Sequence, residues 1–183
     1  MRPPQPSDYH EYFEPMIGLV PDGDIFSILE QGLDQSLEML RSLPAGAADY
    51  RYAPGKWSIK DVIGHLIDSE RTFAYRAFCF ARGAEGPLPD YEADPYADAA
   101  GASSRSIQDL ARELEALRRS TLELFRSFDE EMAGRCGESS GGFRFAVRAF
   151  PWIIAGHEIH HRRLIEQRYL GSFRAKTPSS PME

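Results

Sequence analysis

Apolar residues recur at helical spacing in four long stretches of this chain. Ile25, Ile28, Leu29, Leu33, Leu37 and Leu40 line one face of a first helix predicted from Asp24 to Leu43, where Pro44 and Gly46 stop it. A second opens at Ser58 and runs to about Arg82, with Ile59, Val62, Ile63, Leu66, Phe73, Ala77 and Phe80 on its stripe. Asp61, three residues after Ser58, makes a capping-box start in place of the usual Glu or Gln. A third, predicted over about 106–129, carries Ile107, Leu110, Leu114, Leu117, Thr121, Leu124 and Phe128. The fourth is expected from about Phe143 to Tyr169. No stretch alternates as a half-buried strand would, so the pattern predicts an all-α fold, a four-helix bundle over residues 23–172.

The segments between the stripes differ in kind. Residues 1–22 are rich in proline and aromatics (Tyr9, Tyr12, Phe13) and read as an extended N-terminal arm lying on the body. Residues 83–105 hold Pro87, Pro89, Pro95 and Gly101 among acids and tyrosines. So long a loop between helices 2 and 3 is usually functional or disordered. It is expected across the mouth of the bundle, with Tyr91 and Tyr96 as contacts, and it permits a topology other than up-down-up-down. Gly134 to Gly142 read as a flexible link, and residues 173–183 as a flexible tail.

Composition narrows the partners. The chain has 183 residues, enough for one domain with a sizeable core, and a formal charge of −7. That charge disfavours nucleic acid or an anionic membrane surface, both of which call for clustered Lys and Arg. Nothing approaches the roughly 20 apolar residues of a membrane span, and residues 1–6 lack the apolar core of a signal peptide. Cys79 and Cys136 show no metal-ligand spacing and no disulfide framework. A cytoplasmic location is expected, with a small molecule as substrate.

The chemistry concentrates in the fourth stripe. At about 100° per residue, Val147, Phe150, Ile154, His157, His161 and Leu164 share one face, so two imidazoles sit four residues apart inside an apolar stripe. Buried ring nitrogens need a polar partner, and a divalent metal is the simplest one. The competing reading is a pair of core histidines hydrogen-bonded to carboxylates, Glu70 for instance. His65 lies on the flank of the second stripe, and its spacing alone does not make it a ligand. His160 points to the helix edge, and His10 lies in the arm.

The pair also forms a His-Glu-x-x-His string, His157-Glu158-Ile159-His160-His161, of the kind found in zinc proteases. The extended protease pattern needs glycine at position 164 and histidine at 167, where this chain has Leu164 and Gln167. No strand pattern offers an edge for a peptide, so protease chemistry is disfavoured. Two carboxylates are the weak catalytic candidates. Glu70 falls near the centre of an apolar face and must be paired or neutral, as a partner for an arginine, a support for a ligand histidine, or a general base. Glu158 is about a quarter turn off the inward face, solvated, salt-bridged, or reaching a metal-bound water.

Two segments resemble the DinB-like superfamily, which includes the YfiT-type metal-dependent hydrolases and is unrelated to the DNA polymerase of the same name. They are Tyr52-Ala53-Pro54-Gly55-Lys56-Trp57-Ser58-Ile59-Lys60-Asp61-Val62-Ile63-Gly64-His65-Leu66 and Ala155-Gly156-His157-Glu158-Ile159-His160-His161, and the likeness covers most of residues 24–170. The resemblance implies a four-helix bundle that binds one divalent cation through three histidines, here His65, His157 and His161. It also implies a homodimer, and relatives that act with low-molecular-weight thiols such as bacillithiol or mycothiol.

Three histidines leave coordination positions open, and neutral imidazoles leave the cation's charge uncompensated, so a bound thiol or water would lose its proton more readily. The expected function is a small-molecule enzyme, a thiol S-transferase or a hydrolase. The alternatives are a metal-binding or interaction protein of the same fold without turnover, and purely structural histidines. Zinc or nickel leads as the metal, with iron or manganese after them, since imidazole suits several divalent ions.

Overall fold

The computed structural model describes residues 1–84 and 86–176. Three of its long helices begin where side chains can satisfy the first free N–H groups. Helix α2 (Ile25–Arg41) starts on Asp24, whose carboxylate accepts from the Ser27 N–H at 2.9 Å. Helix α3 (Ile59–Ala81) starts on the reciprocal pair expected of Ser58 and Asp61. There the Ser58 N–H donates to Asp61 at 2.9 Å and the Asp61 N–H to Ser58 at 3.2 Å. Helix α5 (Ile107–Arg126) starts on Ser106. Helix α7 (Ala149–Leu164) passes through a wider π turn, Ile165–Leu170, into α8 (Gly171–Lys176). The proposed flexible tail is therefore helical at residues 173–176, and its remainder, 177–183, lies outside the described residues.

Each long helix packs on two others: α2 on α5 and α7, and α3 on the same two. Consecutive helices α2 and α3 thus face each other across the diagonal, as do α5 and α7. The core falls into two apolar clusters, one around Leu29, Phe80, Phe125 and Phe150, the other around Leu37, Ile63, Leu114 and Ile165. Helices α2 and α7 run from the first cluster to the second, whereas α3 and α5 run from the second to the first. Neighbours α3 and α5 are therefore parallel. At about 1.5 Å per residue, the 23 residues of α3 span roughly 35 Å, a length that the following segment must retrace before α5 can begin.

This explains the long proline-rich segment, which is a crossover. It leaves the end of α3, bonds the hairpin through Leu88 N–H to the Glu138 carbonyl (2.9 Å), and receives Arg76 on the Pro89 carbonyl (2.8 Å). It then passes His65 at Tyr91 and packs Ala102 over Gly64. Part of it is ordered as α4 (Ala93–Ala100).

Three further expectations change. The fourth helix begins at Ala149, because Pro151 lacks an N–H and is tolerated only in a first turn. Residues before it form α6 (Glu130–Gly134) and a hairpin of β1 (Cys136–Glu138) and β2 (Arg144–Ala146), the hairpin standing where a flexible link and the start of the fourth helix are expected. Strands of three residues are too short for alternation to register. The arm is not extended: it forms short helical turns and α1 (Glu14–Ile17), which packs on α7 and places Phe13 in the core. Among the described residues, no helix is long and apolar enough to cross a membrane.

Gly156 permits the contact between α1 and α7, since a Cβ at this position would overlap the Met16 carbonyl. Gly156→Ala is expected to destabilise the fold by about 1–3 kcal/mol and loosen α1. Denaturant titration and the rate of protease cleavage near residues 14–17 would measure both effects.

Candidate metal centre

A polar layer separates the two apolar clusters. Helix α3 contributes His65, Ser69 and Glu70; α5 contributes Arg118 and Thr121; α7 contributes His157, Glu158 and His161; α2 contributes Ser36. All are buried. The three histidines are 6%, 8% and 9% exposed, too little for bulk water to hydrate their nitrogens.

His157 and His161 lie one turn apart on α7, and antiparallel α3 brings His65 to the same point. His157 Nε2 is 3.1 Å from His65 Nε2 and 3.0 Å from His161 Nε2. Among the described residues, these three have ligand atoms all within 4.8 Å of one another. Burial, with mutual repulsion, lowers the pKa of His161 to about 3 and that of His157 well below its ordinary value. Burial also lowers His65 to about 4, against a raising contribution from Asp94. The rings are therefore neutral at neutral pH, the state in which imidazole ligates a metal.

The donor set fits a divalent cation. Bonds of about 2.0–2.1 Å to imidazole place neighbouring nitrogens about 3.4 Å apart at tetrahedral angles and about 3.0 Å apart at octahedral ones. The separations of 3.1 and 3.0 Å about His157 Nε2 require at most a few tenths of an ångström of opening. Without a proton or cation between them, three nitrogens aimed at one point would set lone pair against lone pair. The Trp57 ring stands 4.9 Å from that of His65, centroid to centroid, and is held by the capped start of α3 and by Tyr169, whose hydroxyl donates to the Trp57 carbonyl at 2.9 Å. Phe73 flanks His157. His160 is exposed, and His10 caps its own turn through the Tyr12 N–H.

The two candidate carboxylates point elsewhere. Glu70 accepts from Arg118 Nε at 3.0 Å and Nη2 at 2.9 Å. Glu158 accepts from Arg118 Nη1 at 2.9 Å and from the Ser36 hydroxyl at 2.7 Å. Arg118 Nη1 also donates to the Leu29 carbonyl at 2.8 Å, so one guanidinium ties together all four long helices. Burial disfavours its charge, but Glu158 and Glu70 outweigh that cost and raise its pKa. The arginine-partner option for Glu70 is the one observed, and Glu158 is a buried, salt-bridged group. Arg118 and Ser36 were absent from the sequence expectations. The signal for Arg118 was its place four residues after Leu114 and three before Thr121, on the face that turns inward.

The wide grooves lie away from this centre. One of about 530 Å³ runs between the end of α2 and the start of α5, floored by Leu37, Leu40 and Ile107, with no histidine in its lining. Size alone is a poor guide here, because the crossover covers the histidines.

Comparison with known proteins places this arrangement. No curated protein matches the sequence. YfiT from Bacillus subtilis, a probable metal-dependent hydrolase with an unusual four-helix bundle topology, superposes with a TM-score of 0.61 at 16% identity, over 91% of this chain and 93% of YfiT. Mycothiol-dependent maleylpyruvate isomerase superposes with a TM-score of 0.64 at 13% identity, over 80% of this chain and 61% of the isomerase. A histidine-to-alanine mutant of that enzyme gives 0.63. The chain thus spans about three fifths of the isomerase's length, and at these identities the likeness is one of fold. A family model matches residues 28–165, a range that takes in most of α2, the other three long helices and the three converging histidines, and by that match the chain belongs to the DinB superfamily.

Proposed function

We propose that His65, His157 and His161 hold one divalent cation and that the protein uses it on a small-molecule substrate, activating a low-molecular-weight thiol or a water against an electrophile. The convergence of three buried, neutral Nε2 atoms carries this reading. The descriptions of YfiT as a probable metal-dependent hydrolase and of the isomerase as mycothiol-dependent support it. When bound, the cation would supply Lewis acidity and open positions that lower the pKa of a thiol or water. This chain's residues do the rest. The imidazoles stay unprotonated because they are buried, Trp57 and Phe73 keep water off the rings, and the Arg118 cluster holds α7 in register with α3.

The test is a screen of electrophilic small molecules with several thiols, comparing native, chelator-stripped and metal-restored protein. Turnover should vanish on stripping and return with the cation. A second reading, metal binding without turnover, draws on the low exposure of the histidines. Stoichiometric metal with no metal-dependent turnover of any substrate would establish it in place of the first.

A further inference from the structure

The far side of His65 carries a feature that the metal reading does not use. Its Nδ1 lies 3.2 Å from the Tyr91 hydroxyl and 3.4 Å from the Ser69 hydroxyl. Ser69 is one turn along α3 and buried, whereas Tyr91 belongs to the crossover and meets the imidazole through its hydroxyl, the two rings tilted 20° from parallel with centroids 6.2 Å apart. A histidine that ligates through Nε2 as a neutral ring must carry its proton on Nδ1, and that proton needs an acceptor. A hydroxyl oxygen can accept that proton, and two stand within reach. The Tyr91 oxygen is then the acceptor placed for His65, at the shorter of the two distances.

Resting on the metal reading, we propose that Tyr91 is a positioning residue: it accepts the Nδ1–H of His65, holds that ring in the ligating tautomer, and ties the crossover to occupancy of the metal centre. Outer partners of this kind alter metal affinity by about 10–100-fold. The bond is made by a residue of the crossover, 26 residues from His65, so the cation would stabilise the path of the crossover as well as the pairing of α3 with α7. Among the described residues, no comparable link reaches His157 or His161, and His161 Nδ1 is buried without a partner there. The effect should therefore be specific to His65.

Cobalt(II) titration, followed by visible absorbance, provides the test on the full chain and its Tyr91→Phe and Ser69→Ala variants. Tyr91→Phe keeps the aromatic ring and removes only the oxygen. It should weaken cobalt binding about 10-fold and shift the absorption bands, with a smaller change in Ser69→Ala. Cobalt should also slow amide exchange around Tyr91 in the native protein, and less so in Tyr91→Phe. A purely structural role would lower the melting temperature and leave both affinity and spectrum unchanged. Native affinity and spectrum in Tyr91→Phe, or the full loss in Ser69→Ala alone, would overturn the assignment of Tyr91. If the native protein binds no cobalt, the metal reading itself fails, an outcome distinct from either.

Discussion

Replacing Arg118 with leucine is expected to destabilise the protein by about 3–5 kcal/mol, the range for removing one partner of a buried ion pair. The reason is the state in which its neighbours are left. Glu70 and Glu158 are 3% and 2% exposed, so neither carboxylate can recover water when the guanidinium goes. The Leu29 carbonyl loses a 2.8 Å donor at the same time. Lysine would not substitute, since one ammonium cannot make the bidentate contact to Glu70 and still reach Glu158 and Leu29. Urea denaturation of Arg118→Leu and Arg118→Lys would measure the loss. Combining Arg118→Leu with Glu70→Gln and Glu158→Gln should recover a large part of it, because neutral amides are far cheaper to bury. A loss below about 1 kcal/mol in Arg118→Leu would mean that the carboxylates carry no charge requiring a partner.

His157→Ala should abolish metal binding more completely than any outer contact could, by more than about 100-fold. Its Nε2 lies 3.1 Å from one histidine and 3.0 Å from the other, so its removal takes away the atom both neighbours approach. His65→Ala and His161→Ala should each bind far more weakly than the native protein, while His160→Ala, one residue away but exposed, should bind normally. Elemental analysis and chelator competition on protein verified as folded would compare the four. If His65→Ala kept native affinity while His157→Ala lost it, the centre would be a two-histidine site on α7 alone.

Glu70 and Glu158 illustrate the limits of a helical wheel. Glu70 stood out because it lay on an apolar face, and its need for a partner was evident. The partner was not, because Arg118 lies 48 residues away on a helix whose stripe was read through Leu117 and Leu124. Glu158 was placed off the inward face of its own helix. It is buried because α2 and α5 close over that flank, and Ser36 and Arg118 meet it there.

Local chemistry determined a good deal by itself. Apolar spacing set the four long helices, serine and aspartate caps set where three of them start, and the four-residue step between His157 and His161 put both rings on one face. These are short-range properties, decided within a turn or two of the chain. His65 became a ligand candidate through its resemblance to a family, not its spacing. Only the tertiary structure decided which helices are neighbours, because periodicity says which face is apolar and not what covers it. It set α3 parallel to α5, made the proline-rich segment a crossover that brings Tyr91 to His65, and gathered one arginine and two glutamates into a layer between the two halves of the core. A buried charge persists only where other helices supply its partners, and in this bundle the helices that supply them lie far apart in the chain.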